Sequence, residues 1–591
     1  MRARRHPAWT TFAVLVVVLL ALGGWLGIRA VAARRHLLAA QSAILDVKAQ
    51  LGEPDRPGVG ASFDDAAAHA AAARRLTGDP VWEAASHLPL AGDAFQTGRT
   101  IARSVDLVLR GPLHTLLSSR DTLDPAALRR DDGSIDLAVL ASPQLALASA
   151  LDGLRQIERD VNERPEHTRL SAVDDARSDL LDQLAELRRV VGHAEAATRV
   201  GPAMLGGDGV RRYFVAFQNT AESRGTGGLV GAYGILEADR GRLRMARIGS
   251  NADLSVTFRE PVLRLDPEFE SFYRGPYAAT TMWGNANLSP HFPYAAQIWL
   301  AMWQRQFGER LDGVIATDPQ MLSHLLGATG PVTLPTGETV TAANVVELTE
   351  RTAYVRFDAD NPGRKDFLVL IARAVADEVL HKAGGSPAAL GTALSDGASD
   401  GRLRIWSRFP DEARAMADTA ISGALPDRDG PLAALVVNNA GANKLDYYLD
   451  RKVDYRLGMC LSDGRRRSRV TVTLTNVLPE AELPNYVSGA AYDPDEAGIN
   501  KLVVSLFAPR GARLEIAQTD GLRTTMIPFA ERGRPVYTST VRLLPRKPVT
   551  IVYDLLEPIS EAAPVVVEQP LVRAQRTTVV DRRCSPVASV R

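Results

Sequence analysis

The spacing of apolar residues changes twice along this chain, and each change marks a different kind of structure. From about residue 35 to 200, apolar side chains recur at steps of three and four, the period of a helix with one buried face. Leu147, Leu151, Leu154 and Val161 share one such face. After a polar loop, Ser171 and Asp174 resemble a capping box, and Val173, Ala176, Leu180, Leu184, Leu187 and Val191 carry the period onward. The two helices read as an antiparallel hairpin. An earlier helix is expected from Asp93, its cap, to Leu109, with Gly111-Pro112 ending it. The Gly- and Pro-rich segment 52–60 reads as a linker.

From about 210, short apolar runs alternate with helical stretches. Strands are expected over 213–217, 229–237, 243–248, 312–317 and 332–334. Pro293 opens one helix, Asp318 caps another with Pro319 in its first turn, Thr341 caps a third, and 364–382 forms a long one. This alternation predicts an α/β domain with helices packed on a mixed sheet. Beyond about 440 the strands come without helices, at 470–475, 502–507, 513–517, 536–543, 550–555 and 563–567, as in a β-sandwich.

One apolar run stands apart. Pro7 to Ile28 contains no Asp, Glu, Lys or Arg, matching the roughly 20 residues needed to cross hydrocarbon. It reads as a transmembrane helix; Ala30-Val31-Ala32 leaves a cleaved signal peptide as the alternative, against which the length of the run argues. Arginines flank both sides, so charge sets no orientation, but an anchor this early places the chain after about residue 30 outside the cytoplasm. The expected organisation is a multidomain α+β chain: tail 1–10, transmembrane helix 11–28, helical spacer 35–200, α/β domain 208–438 and β-sandwich 440–591.

Composition narrows the function. Lys plus Arg and Asp plus Glu both number 69, so the one-signed charge of a dedicated nucleic-acid binder is missing. The two cysteines, Cys460 and Cys584, stand near the ends of the expected β-rich domain. In an oxidising compartment they can pair; otherwise they are inert buried thiols. No Walker phosphate loop, Gly-x-Ser-x-Gly elbow or His-Glu-x-x-His motif occurs.

Three stretches remain as candidates for chemistry. In "QNTAESRGTGGLVGAYG", residues 218–234, the glycines miss the dinucleotide fingerprint and precede a strand. Gly227 and Gly228 either let backbone amides approach an anion beside Glu222 and Arg224, or simply make a tight hairpin. In "AYVRFDADNPGRKDFLVL", residues 353–370, Arg356, Arg364 and Lys365 either line an anion pocket at a helix start or sit exposed. In "GNANLSPHFPYAA", Asn285, Asn287 and His291 read as turn and cap residues before ligands.

The blocks "RYFVAFQNTAESRGTGGLVGAYGIL", "NANLSPHFPYAAQI", "LDGVIATDPQMLSHLLGATGPV" and "NNAGANKLDYYLDRKVDY" closely resemble a bacterial family of membrane-anchored proteins, domain-of-unknown-function family four-zero-one-two. Residues 213–382 are also distantly similar to the LytR-CpsA-Psr phosphotransferases, which attach polyprenyl-pyrophosphate-linked glycopolymers to the cell wall. That second resemblance implies phosphate contacts at Arg224, Arg356 and Arg364. It further implies an acid at Glu222 or Asp253 beside a divalent cation such as Mg, and a polyprenyl-phosphate glycan or cell-wall polymer as partner at the membrane. The sequence departs from those enzymes where it carries Asn219 and Asp358, and where "GSNADLS" lacks an arginine. The alternative to an enzyme is a non-catalytic envelope scaffold.

Overall fold

The computed structural model describes residues 7–51, 59–120, 127–358, 360–382, 387–479 and 483–582. These divide into two compact units, one formed by residues up to 129 together with 136–202, the other by 130–135 and 203–591. The second unit holds every sheet described below.

The first unit is helical. A single helix, Pro7–Leu51, runs without a break through the charge-free segment, and Leu22, Trp25 and Ile28 on it are exposed, Ile28 by 71%. Its later part packs Ala40 and Ala43 beside Ala66 and Ala70 of the helix Val59–Thr77, small residues that let two backbones approach closely. Leu147, Leu154 and Val161 from Gln144–Asn162 meet Leu180, Leu184 and Val191 from Ser171–Met204 in the same core, the pairing the period of three and four anticipates. By length and composition the stretch Leu137–Asn162 is also apolar enough to cross a membrane, although its apolar face lies in this core.

Two expected helix ends differ. Asp93 lies inside the first turn of Gly92–Val108, behind Ala91, and makes no cap. Gly111-Pro112 does not stop the helix; the chain widens into a π turn over Leu109–Leu113 and continues as His114–Arg120, a turn that tolerates the N–H missing from proline. Asp174 accepts from the amide of Thr168 rather than pairing with Ser171. Most of the segment read as a linker, 52–58, lies outside the described residues, as do residues 1–6 of the expected tail.

In the second unit a mixed five-stranded sheet carries β1 (Arg211–Arg224), β2 (Gly227–Asp239), β3 (Arg242–Ser250) and β4 (Gly313–Thr317), in the order β3-β2-β1-β4 with Arg404–Ser407 at the edge. β1 runs antiparallel to β2 and parallel to β4. The amphipathic helix Phe292–Phe307 lays Trp299 and Trp303 against Phe214 of β1, with ring centroids 6.0 and 5.7 Å apart. Asp318 caps Pro319–Thr329 by accepting from the Met321 amide.

Val332–Thr333 and Thr339–Val340 pair as a separate two-stranded sheet, and the strands from Leu432 onward form a six-stranded and a five-stranded sheet whose inward residues, among them Val453, Val470, Tyr553, Val504 and Val541, make one apolar core. Alternating burial along Arg465–Asn476 is the two-residue period of a strand with one covered face. The strand Leu432–Asn439 of the five-stranded sheet, between Asn500–Phe507 and the edge strand Val565–Val567, is buried at every position and so lacks that alternation.

Candidate functional site

β1 does not end at Phe217; it continues to Arg224, and the stretch expected as a loop is strand and hairpin. Asn219 faces Leu229 and Ser223 faces Gly228, so Thr220, Ala221 and Glu222 have no partner on β2 and bulge out of the ladder. Their polar groups are buried and must be paired elsewhere. Thr220 donates from its amide and its hydroxyl to Glu350, at 2.8 and 2.9 Å. The Ala221 amide donates to Asn219 Oδ1, and the Ser223 amide to Asp446 Oδ2.

The glycines serve this geometry. A Cβ on Gly228 would fall 2.0 Å from the carbonyl oxygen of Asn219, and one on Gly225 would fall 2.2 Å from that of Leu288. Gly227 takes φ +134° where the hairpin reverses. Asn287 clamps the turn, donating to Gln218 Oε1, Thr226 Oγ1 and the Gly228 carbonyl. The hairpin tip, residues 218–228, is buried throughout, so the glycines Gly227 and Gly228 make a tight turn whose amides are covered. His291 accepts at Nδ1 from the Leu425 amide, and Asn285 donates to the Tyr277 carbonyl, both turn duties.

Glu222 and Arg224 stand together, as adjacent candidates, in a buried ion pair 3.1 Å long. Arg224 also donates to the carbonyls of Gly284 and Ser223. The other Glu222 oxygen contacts Lys444 Nζ. Burial works against the Glu222 charge, but Lys444 and Arg224 outweigh it and hold the carboxyl below its ordinary value. Burial also opposes the Lys444 charge, and Glu222 overcomes that, keeping the amine protonated well past its usual range.

Lys444 connects this pair to Arg364. Lys444 Nζ lies 5.7 and 5.3 Å from the rings of Tyr354 and Tyr486, and the Arg364 guanidinium lies 4.7 and 4.5 Å from the same rings. The two rings are stacked at 4°. Tyr486 in turn neighbours Tyr492, which is 62% exposed, so the buried cations reach the surface along an aromatic path. Arg364 thus joins Arg224 in one network, while Arg356 does not. The helix Ala353–Arg356 ends at Phe357, and Arg356 turns away to an exposed pair with Glu338 at 2.7 Å, over the ring of Phe367.

Asp253 is also elsewhere: its carboxylate accepts from the Tyr233 hydroxyl at 3.1 Å. Among the described residues no group of three or more His, Cys, Asp or Glu side chains is placed to hold a metal ion. Cys460 is disulfide-bonded; Cys584, its expected partner, lies outside the described residues.

Sequence reasoning missed Glu350, Tyr354, Lys444, Asp446 and Tyr486. Glu350 is fully covered, and burial pushes its carboxyl up to about 8 despite the hydrogen bonds from Thr220. It sits in a π turn, Leu348–Thr352, one turn before Tyr354, whose hydroxyl meets Asn219 Nδ2. A glutamate four residues before a tyrosine, about one helical turn apart, was the available signal. Asp446 is held by Ser223, Asn439 and Asn500, and burial raises it. Its signal was the polar run "NNAGANKLD" between two strands.

The bulge, the Asn287 clamp and the Glu350–Tyr354 helix all fall within one segment. Residues 208–354 match DUF4012, a family of proteins of unknown function. The match stops at Tyr354, so the DUF4012 segment supplies Glu222, Arg224, Glu350 and Tyr354, while Arg364, Lys444, Asp446 and Tyr486 come from outside it. No curated protein matches the chain.

Proposed function

We propose that this chain is a single-pass, extracytoplasmic protein of the bacterial cell envelope that binds a polyprenyl-phosphate-linked glycan at the Lys444–Arg364 end of the buried network. The observation that carries this reading is the charge balance: Arg224 and Lys444 share one carboxylate, Glu222, while Arg364 stands without an ion pair on the same two tyrosine rings as Lys444, beside Tyr492 at the surface. Aromatic faces suit sugar rings, and cations held against them suit a phosphate. The charge-free run Pro7–Ile28, within one helix that leaves Leu22, Trp25 and Ile28 exposed, supports an anchor that would bring the site to lipid.

Binding is the extent of the proposal. Transfer to an acceptor would need a carboxylate and a cation beside the phosphate, and Asp253 is engaged by Tyr233 in a different place. A non-catalytic scaffold is the second reading, favoured by the complete internal pairing of Glu222 and Arg224.

Lipid extraction and mass spectrometry of the detergent-purified full chain test the reading. Polyprenyl-phosphate species are expected with the wild type and depleted about fivefold or more in Arg364→Gln, for loss of one charge-assisted contact. A wild-type extract without them leaves only the scaffold.

A further inference from the structure

On the other side of the hairpin tip, a cavity of about 690 Å³ opens within the second unit. Gly225, the segment from Arg402 to Arg404, the strand residues Ala434 to Val436, Arg451 and the segment from Val566 to Gln575 wall it. Arg402, Arg404 and Arg451 all line it.

The three guanidiniums are held chiefly by carbonyls, which fix position without cancelling charge. Arg404 donates to Thr226 O at 2.8 Å. Arg451 donates to Gln569 O and Arg573 O, both at 3.0 Å. Arg402 donates to Leu571 O and makes the cluster's one direct ion pair, with Asp318 at 2.8 Å. Arg404 is 7% exposed and Arg451 1%, yet the Nε of each has no hydrogen-bond partner. A buried donor on a permanent cation is costly to leave unpaired and calls for an explanation.

The other charged groups facing the cavity do not provide one. Asp400 is more than half exposed and pairs with His324 at 3.3 Å, and Glu568 is exposed and accepts from Thr577. Burial, with Arg402 nearby, brings Arg404 and Arg451 down to about 10, so both remain charged at neutral pH. Gly423 keeps the space clear: a Cβ there would lie 2.5 Å from Arg404 Cδ.

We infer that this cavity is a binding site for the phosphate group of a phosphomonoester, drawn in by the guanidiniums of Arg402, Arg404 and Arg451 that line it. Arg404 and Arg451 feel Asp318, Glu568 and Asp446 only at a distance and make no direct ion pair, so together they match a dianion better than a single carboxylate, and a guanidinium fork meets phosphate oxygens in two parallel bonds. The volume exceeds what a bare phosphate fills, and Leu425, Ala434 and Val566 give the organic part an apolar wall. The site shares no residue with the Lys444–Arg364 network, so it stands whether or not the glycan-lipid reading does.

Calorimetric titration of the detergent-solubilised full chain, at constant ionic strength, tests it with glucose 1-phosphate and inorganic phosphate as probes. Saturable binding of glucose 1-phosphate is expected, weakened about tenfold or more in Arg404→Lys and Arg451→Lys, which keep the charge but lose the fork, and unchanged in Arg356→Gln. Equal affinity for inorganic phosphate upholds the anion site and makes free phosphate its source. If the lysine variants do not fold, a wild-type melting temperature raised by millimolar glucose 1-phosphate, relative to chloride at the same ionic strength, supports the site. Wild-type protein that shows neither heat nor a thermal shift, or lysine variants that bind as tightly as wild type, overturns it.

Discussion

The Ser223 amide donates to Asp446 Oδ2 at 2.7 Å, joining the bulge of β1 to a turn 223 residues later in the chain. The same carboxylate accepts from Asn439 at 2.9 Å and Asn500 at 2.7 Å, so one buried side chain ties the mixed sheet to the strands that follow it. Asp446→Ala leaves the Ser223 amide and Asn500 without a partner there, while Asn439 keeps its bond to Asn443. At about 1–3 kcal/mol for each unsatisfied buried group, a loss on the order of 4 kcal/mol is expected in urea unfolding, and a smaller one for Asp446→Asn.

Lys444→Met removes one of the two cations that keep Glu222 ionised. Breaking a buried pair from one side costs roughly 3–5 kcal/mol. The double variant Lys444→Met/Glu222→Gln, which leaves no stranded carboxylate, should recover part of that loss in a double-mutant cycle. Strict additivity would show that the two side chains do not interact.

Glu350 gives the fold a pH dependence. Its carboxyl stands at about 8 in the folded chain against an ordinary 4.5, so the folded state binds the extra proton between those values. Stability is then highest below the ordinary value and falls as pH rises toward 8, by on the order of a few kcal/mol. Glu531, brought by burial to about 7, adds in the same direction over a narrower window. Glu350→Gln should flatten most of the decline when melting temperature is followed from pH 5 to 8; an unchanged slope would contradict the assignment.

Arg356 and Arg364 separate two roles that eight residues of sequence do not. Arg356→Gln disturbs an exposed pair with Glu338 and a surface contact over the Phe367 ring, and should change stability by about 0–1 kcal/mol. Arg364→Gln removes a buried guanidinium from two tyrosine rings, and unfolding experiments should show a cost of about 1–2 kcal/mol or more.

The disulfide at Cys460 closes the end of the strand Leu449–Cys460, whose parallel neighbour Arg576–Asp581 is exposed along its whole length. Reduction should lower the melting temperature and speed amide exchange at 576–581 before any change in the buried strands. The bridge is worth roughly 4 kcal/mol in the chain-entropy account.

What could be read along the chain was local. The period of three and four marked the helices that carry Leu147 and Leu184, short apolar runs marked β1 to β4, and Asp318-Pro319 marked a helix start, because each depends on neighbours within a few residues. The same local logic misread Gln218–Arg224 as a loop: polar side chains there suggested solvent, whereas in the structure Glu350, Asp446 and Lys444 satisfy them inside the protein. It also missed Leu432–Asn439 as a strand of the later sheets, since a strand covered on both faces shows no alternation.

The sequence by itself determined where helices and strands form and where charge is scarce enough for a membrane anchor. Only the tertiary structure decided which charges meet: Arg364 reached the Glu222–Lys444 pair, Arg356 did not, and Arg402, Arg404 and Arg451 gathered around one cavity. Electrostatic partnership depends on distance and burial, and contacts between residues hundreds of positions apart leave no periodic trace in the order of amino acids.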